Sequence, residues 1–239
     1  MANGISEAKL GATARLLQRC ELFETLNEHD LTALAHVCRS RQVSRSTLIF
    51  GRGEPAESMM LVASGRVRIS SVSSEGREII LNEITAGQSF GEIALLDRAD
   101  RTADATAVEA TQLLVLSRRD FEPFLRARVD LCLEVMRLLC FRLRRTTAQV
   151  EDLALRSLES RLARVLLAFV ERESGIAGGG VTRITLNLSQ RELGEITGAT
   201  RESINKTFRL WRELGMAELH DKVFEVKDMN AFRELVDQL

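Results

Sequence analysis

Apolar residues return at helical spacing through the first segment, from about Ser6 to Val37: Leu10, Ala14 and Leu17, then Leu31, Leu34 and Ala35. From about Val43 the texture changes. Short β-rich runs (Leu48–Phe50, Met59–Val62, Val67–Ile69, Ile79–Leu81, Leu113–Leu116) are separated by turn glycines at Gly51, Gly53, Gly65, Gly76 and Gly87. Many short strands at this spacing predict a β-barrel or roll. Beyond Pro123 the β texture stops, and a stretch without Gly or Pro runs from Phe124 to Ser174.

That stretch holds a finer pattern. Cys132, Met136, Leu139, Leu143, Thr146, Val150 and Leu153 follow one another at alternating steps of four and three, the spacing that lets two helices supercoil around each other. An amphipathic helix packed on its own domain would show the same spacing. Two details favour a dimer: Arg137, Arg142, Arg144 and Arg145 flank the seam as at a solvent-edged pair, and Thr146 interrupts it with a hydroxyl that needs a partner once buried. After Ser157 a second helix is predicted over Arg161–Arg172, apolar at Leu162, Val165, Leu166 and Phe169, running into the glycine cluster Gly175–Gly180. The last stretch, about sixty residues, reads as another compact unit.

With 239 residues, 45% of them hydrophobic and 28% charged, the composition is that of a globular protein with room for two modest domains. The longest aliphatic runs, such as Leu113–Leu116, fall far short of the ~18 apolar residues of a membrane helix. Met1–Ile5 has no charged start leading into an apolar core, so no secretory signal is expected and a cytoplasmic location is. There Cys20, Cys38, Cys132 and Cys140 are expected as thiols, and their spacing argues against a zinc ribbon or redox pair. No metal site is expected from His29, His36 and Cys38. The net charge of −1 means that any polyanion binding must come from a local patch. No nucleophile–base constellation is visible, so neither catalytic residues nor enzyme activity are expected.

Two motifs carry chemistry. In Phe90-Gly91-Glu92-Ile93-Ala94-Leu95-Leu96, followed by Asp97-Arg98-Ala99-Asp100-Arg101-Thr102-Ala103, Gly91 permits a tight turn, and Ile93–Leu96 make a short helical turn whose N–H groups can face an anion. Arg101 offers a fork suited to phosphate, and Glu92 is an acceptor for a ribose hydroxyl. The competing reading makes Glu92 and Arg101 an internal ion pair. In the second motif, Ser189 with Glu192 forms a capping box, Thr197-Gly198-Ala199 is a turn, and Thr200 is a good N-cap for the next helix. Leu193, Ile196, Ile204 and Phe208 supply inward faces. A helix, a glycine-containing turn and a second helix describe a helix-turn-helix. The second helix carries Arg201, Lys206, Arg209 and Arg212 against Glu202 and Glu213, a basic face suited to phosphate contact; an ordinary αα-hairpin is the competing reading. Val223–Val226, after the turn at Asp221-Lys222, alternates like a strand and would be a wing.

The segment from about Leu22 to Phe121 resembles the cyclic-nucleotide-binding domain, residues 91–103 resemble its phosphate-binding cassette, and the whole chain resembles the CRP/FNR family of regulators. That resemblance implies an α+β chain: a cyclic-nucleotide-binding β-roll over residues 1–128, a long dimerisation helix over 129–156 and a winged helix-turn-helix over 157–239. It implies that Gly91, Glu92, Ile93, Ala94, Arg101, Thr102 and Ala103 line the ligand, with Glu92 on the ribose 2′-hydroxyl and Arg101 and Thr102 on the cyclic phosphate. Thr146 and Thr147 match the paired hydroxyls of the dimer helix that reach the purine. Where the family often places Gly and Pro just before the Arg, this chain has Arg98-Ala99-Asp100. The effector implied is cAMP, with cGMP a second candidate, because Arg-Thr-Ala resembles the cassettes of cyclic-GMP-binding domains. Ser189, Gln190, Thr200, Arg201, Glu202, Ser203, Lys206 and Arg209 are expected to meet double-stranded DNA. By chemistry Arg201 suits guanine, Glu202 suits cytosine N4 and Lys206 can donate to guanine. The resemblance further implies a homodimer, a pseudo-palindromic TGTGA-like site and RNA polymerase as a partner, with no membrane involved. A cyclic-nucleotide module of an enzyme or channel fits less well, given the helix-turn-helix. A redox or haem sensor of the same fold would need a cysteine cluster or an N-terminal ligand histidine.

Overall fold

The computed structural model describes residues 7–174 and 182–237, and the predicted glycine cluster Gly175–Gly180 lies outside them. The chain divides into two compact units, one formed by residues up to Val72 with Ile80–Arg144, the other by Ser73–Ile79 with the residues from Arg145 on.

In the first unit, helices α1 (Glu7–Gln18) and α2 (Glu28–Val37) precede the strands β1 (Arg39–Val43), β2 (Leu48–Phe50), β3 (Ser58–Ser64), β4 (Arg66–Val72), β5 (Glu78–Thr85) and β6 (Ser89–Phe90). Then come a short helix α3 (Glu92–Asp97), strands β7 (Asp104–Ala107) and β8 (Thr111–Ser117), and helices α4 (Arg118–Ala127) and α5 (Val129–Leu155), the last of which continues into the second unit from Arg145 on. The strands form two four-stranded antiparallel sheets, ordered β1-β8-β3-β6 and β2-β7-β4-β5. Each predicted β-run falls within a strand, and the roll is the one expected. The run Met59–Val62 is apolar throughout because β3 is covered on both faces: Met60 and Val62 join the core between the sheets, while Met59 and Leu61 pack under the helices. Three strands carry no such signal, one of them the two-residue β6. β1 reads Arg-Ser-Arg-Gln-Val, is exposed at its first four positions and lies at a sheet edge, where polar side chains block further pairing. β7 reads Asp-Ala-Thr-Ala, and its alanines are buried where the sheets approach.

Within α5, Leu131, Val135 and Leu138 are buried in the helix-covered core, and Leu139 leans against it. Met136, Leu143 and Val150 are 51%, 68% and 58% exposed. One face of this helix therefore packs on its own domain, and several of the seam positions form an exposed stripe on another face. The own-domain face takes Leu139 out of the exposed stripe.

The second unit contains α6 (Leu158–Ser174), β9 (Thr182–Thr185), α7 (Gln190–Thr197), α8 (Arg201–Glu213), β10 (Ala217–His220), β11 (Val223–Val226) and α9 (Met229–Asp237). Its three strands pair antiparallel in the order β10-β11-β9. The predicted wing strand is β11, and its hairpin turn holds Asp221 at φ 53. Trp211 anchors the core, with Phe232 and Phe208 edge-on at 5.2 and 5.7 Å between ring centroids. Among the described residues, no helix is long and apolar enough to cross a membrane, and no group of three metal-ligating side chains comes together.

Candidate functional site

The cassette is a corner where β6 turns into α3. Gly91 makes the turn at φ 78, and a Cβ on it would stand 2.6 Å from Arg101 Nη1, so only glycine fits there. α3 lasts six residues; Ala94 and Leu95 are buried, while Ile93 stays exposed. It ends on Arg98, also left-handed at φ 62, whose guanidinium reaches Glu122 of α4 at 3.2 Å. Arg98-Ala99-Asp100 thus still turns the chain without Gly or Pro, helped by Asp97, which accepts from the Ala99 N–H at 2.9 Å.

Glu92 is 2% exposed and Arg101 5%. They do not pair. Arg101 lies over the Phe50 ring at 4.1 Å and donates to the carbonyls of Gly91 (2.8 Å) and Ser58 (2.7 Å). Burial pulls its pKa down, and the carboxylates of Glu54 and Glu92 oppose that. Glu92 Oε1 instead accepts from Arg142, whose other nitrogen donates to the Ser89 carbonyl. Arg142 was expected at the wet edge of the seam, but its side chain is only 20% exposed and turns into the cassette. A half-buried arginine beside a buried carboxylate explains the turn, because an unpaired carboxylate there would be strongly unfavourable.

Three buried polar atoms in this corner have no hydrogen-bond partner among the described residues: Glu92 Oε2, Arg101 Nε and the Ser89 hydroxyl. Such atoms are rare in native interiors. An acceptor-only oxygen beside a guanidinium and a hydroxyl matches a small ligand that carries both hydroxyl and phosphate groups, so the donor set fits a nucleotide. Thr102 is exposed next to Arg101, and Ala103 is buried at 5%. Thr146 and Thr147 are exposed on α5 and belong to the second unit. The sequence pattern pointed to Gly91–Ala103 but missed Arg142, Ser89, Phe50 and the Ser58 carbonyl. Of these only Arg142 left a trace, as a charge flanking an apolar seam.

The second candidate site is the α7–α8 pair. Ser189 and Glu192 form the predicted reciprocal capping box. Gly194 sits where a Cβ would be 2.6 Å from the Ala199 carbonyl, so glycine lets the turn fold back against α7. Thr200 caps α8, accepting from the Ser203 N–H at 3.2 Å. Ile204, Phe208 and Trp211 point inward; Ile196 is half-buried. Arg201, Glu202, Lys206 and Arg209 are all exposed, while Ser203 and Gln190 are half-buried. The hydroxyl of Ser189 is engaged with Glu192. Glu202 is held below the usual carboxylate pKa, first by its own backbone N–H and then by Thr200, so it stands as an ionised acceptor. Together with the exposed Arg212 and Glu213, α8 thus offers four basic groups and two acidic ones to solvent.

Residues 40–128 match the cyclic nucleotide-binding domain family, and residues 160–235 match the Crp-like helix-turn-helix domain family. The chain is 28% identical over 213 residues to the CRP-like cAMP-activated global transcriptional regulator of Mycobacterium tuberculosis H37Rv, covering 89% of this chain and 95% of that one. Among solved structures it is similar to the Thermus thermophilus catabolite activator protein, at 28% identity and TM-score 0.52, covering 91% and 98%. It shares its fold with CLP, a c-di-GMP-responsive global regulator of Xanthomonas campestris, at 20% identity and TM-score 0.68, covering 84% and 99%.

Proposed function

The chain belongs to the CRP/FNR family of DNA-binding transcription regulators with a cyclic nucleotide-binding domain, and from that premise we propose that it is a homodimer whose affinity for duplex DNA is set by cAMP, with cGMP accepted as well. In this reading residues 1–128 are the effector domain, 129–156 the dimerisation helix and 157–239 the DNA-binding domain. The protein works in the cytoplasm, with RNA polymerase as a further partner.

One observation carries the ligand reading: the unpartnered Glu92 Oε2 beside Arg101 and Ser89 in a buried corner. Glu92 takes the ribose 2′-hydroxyl. Arg101 and Thr102 take the cyclic phosphate, with Gly91, Ile93, Ala94 and Ala103 around them. Thr146 and Thr147 meet the purine, and each hydroxyl can donate to or accept from adenine N6 or guanine O6. Thr102 supports the cGMP part. In the syn conformer the guanine 2-amino group swings over the phosphate, where the exposed Thr102 hydroxyl can accept from it; adenine has no such group. One neutral hydrogen bond contributes about 0.5–1.5 kcal/mol, roughly tenfold at most, so cAMP remains competent.

Calorimetric titration of the full protein with cAMP, cGMP and c-di-GMP, followed by DNA titrations with each, tests the proposal. We expect both cyclic mononucleotides to bind and to raise DNA affinity, and Thr102→Ala to lose cGMP affinity selectively. Equal loss of both nucleotides would confine Thr102 to the phosphate. Response to c-di-GMP alone, or to none of the three, would overturn the assignment of the effector.

A further inference from the structure

The cassette helix is held at both ends by arginines, and only one of them belongs to the nucleotide reading. At its N-terminal end Arg101 grips the Gly91 carbonyl. At its C-terminal end Arg118, the first residue of α4, donates from Nε to the Leu95 carbonyl (2.9 Å) and from Nη2 to the Ala94 carbonyl (3.0 Å). Positive charge at the C-terminal carbonyls of a helix is favourable, and the planar fork spans acceptors that a lysine could not. The same two arginines also hold the irregular segment that enters β3. The Arg101 N–H donates to the Glu54 carbonyl (2.9 Å) and its side chain to that of Ser58; the Arg118 Nη2 donates to Ala56 (2.6 Å) and its N–H to Glu57 (2.7 Å).

A phosphate on the Arg101 fork must compete with the Gly91 and Ser58 carbonyls for its nitrogens. Whatever loosens at that end, the other end stays tied to α4, through Arg118 and through the surface pair Arg98–Glu122. α4 leads into α5 through a single residue, Arg128.

Resting on the proposed nucleotide site, we propose that Arg118 is a positioning residue that makes α3 and α4 one body, so that a change at the cassette is delivered to the junction with α5 instead of being absorbed beside the ligand. Arg118 touches no reacting or ligand atom in this scheme; it acts through the backbone of α3.

Two measurements on the full chain test it, using Arg118→Gln and, should that variant fold poorly, Arg118→Lys, which keeps the charge and loses the fork. The first is amide hydrogen exchange without nucleotide: residues 92–97 should lose protection at least ~10-fold in the variant, and unchanged protection there would overturn the tie. The second compares DNA affinity without and with saturating cAMP. The variant should still bind cAMP, but the factor by which cAMP changes DNA affinity should fall at least several-fold. An unchanged factor, measured at saturation so that weaker cAMP binding cannot mimic it, would overturn the delivery of the change. A merely structural role would lower stability and leave that factor intact. If wild-type DNA affinity ignores both cAMP and cGMP, the effector reading has failed, and the delivery with it; the exchange arm still decides the tie.

Discussion

Buried acceptors in the first unit are answered by groups far along the chain: Glu92 by Arg142, Asp30 by Arg128, and the α3 carbonyls by Arg118. Thiols are treated differently. Burial pushes both Cys20 and Cys38 up to about 12 from 9.0, so at neutral pH they are protonated apolar groups and poor nucleophiles. The sign of the linkage follows. Above pH 9 the unfolded chain releases thiol protons that the folded chain keeps, so stability falls as pH rises from about 9 to about 12, by up to ~1.4 kcal/mol per unit per thiol. Urea unfolding followed by circular dichroism should show this decline, and Cys20→Ala with Cys38→Ala should flatten it; an identical slope in the double variant would remove the thiols as its cause. Cassette residues were legible because Gly91, Glu92, Arg101 and Thr102 lie within a dozen positions in a fixed order. Arg142 and Arg118 were not, because what they bind is set by the fold and leaves no local spacing to read.

Helices and strands were legible in proportion to their contact with a core. β3 and β8, covered on both faces, announce themselves as apolar runs, while β1 puts only Val43 into the core and β6, though both its residues are buried, is too short to show a pattern. Caps were readable from chemistry: the Ser189–Glu192 box and Thr200 place the starts of α7 and α8 correctly. α5 shows where a pattern is ambiguous, since two sets of residues one position apart share the same four-and-three spacing. Leu131, Val135 and Leu138 face their own core, and the exposed Met136, Leu143 and Val150 recur every seven residues on another side. An exposed apolar stripe of this kind favours association. If it is the two-fold seam, Leu143→Glu with Val150→Glu sets like charges against each other across it without disturbing the domain core. Light scattering should then report a monomer, with circular dichroism unchanged. A dimer that survives the double substitution would place the interface on another surface. Leu139 is the poorer probe, because its loss would also damage the first unit's core.

For the whole molecule, charge decides how DNA is met. With 33 basic and 34 acidic side chains, there is no general attraction for a polyanion, so affinity must be concentrated on the α8 face and its surroundings. A two-fold dimer presents that face twice and should prefer half-sites about one helical turn (~10 base pairs) apart, or a multiple of that. Within the face Arg201 and Arg209 are expected to differ. Arg201 opens the helix beside the Thr200 cap, the end from which recognition helices meet base edges. Arg209, exposed two turns on, is expected to meet backbone phosphate instead. Arg201→Ala should therefore cost about 1–3 kcal/mol on the preferred site and relax the preference at one guanine, whereas Arg209→Ala should weaken all duplexes alike and reduce the salt slope by about 1 per subunit. Fluorescence anisotropy over a panel of single-base variants at three salt concentrations separates the two effects. Uniform weakening by Arg201→Ala, with a reduced salt slope, would make it a phosphate contact and move base reading to Glu202 and Lys206.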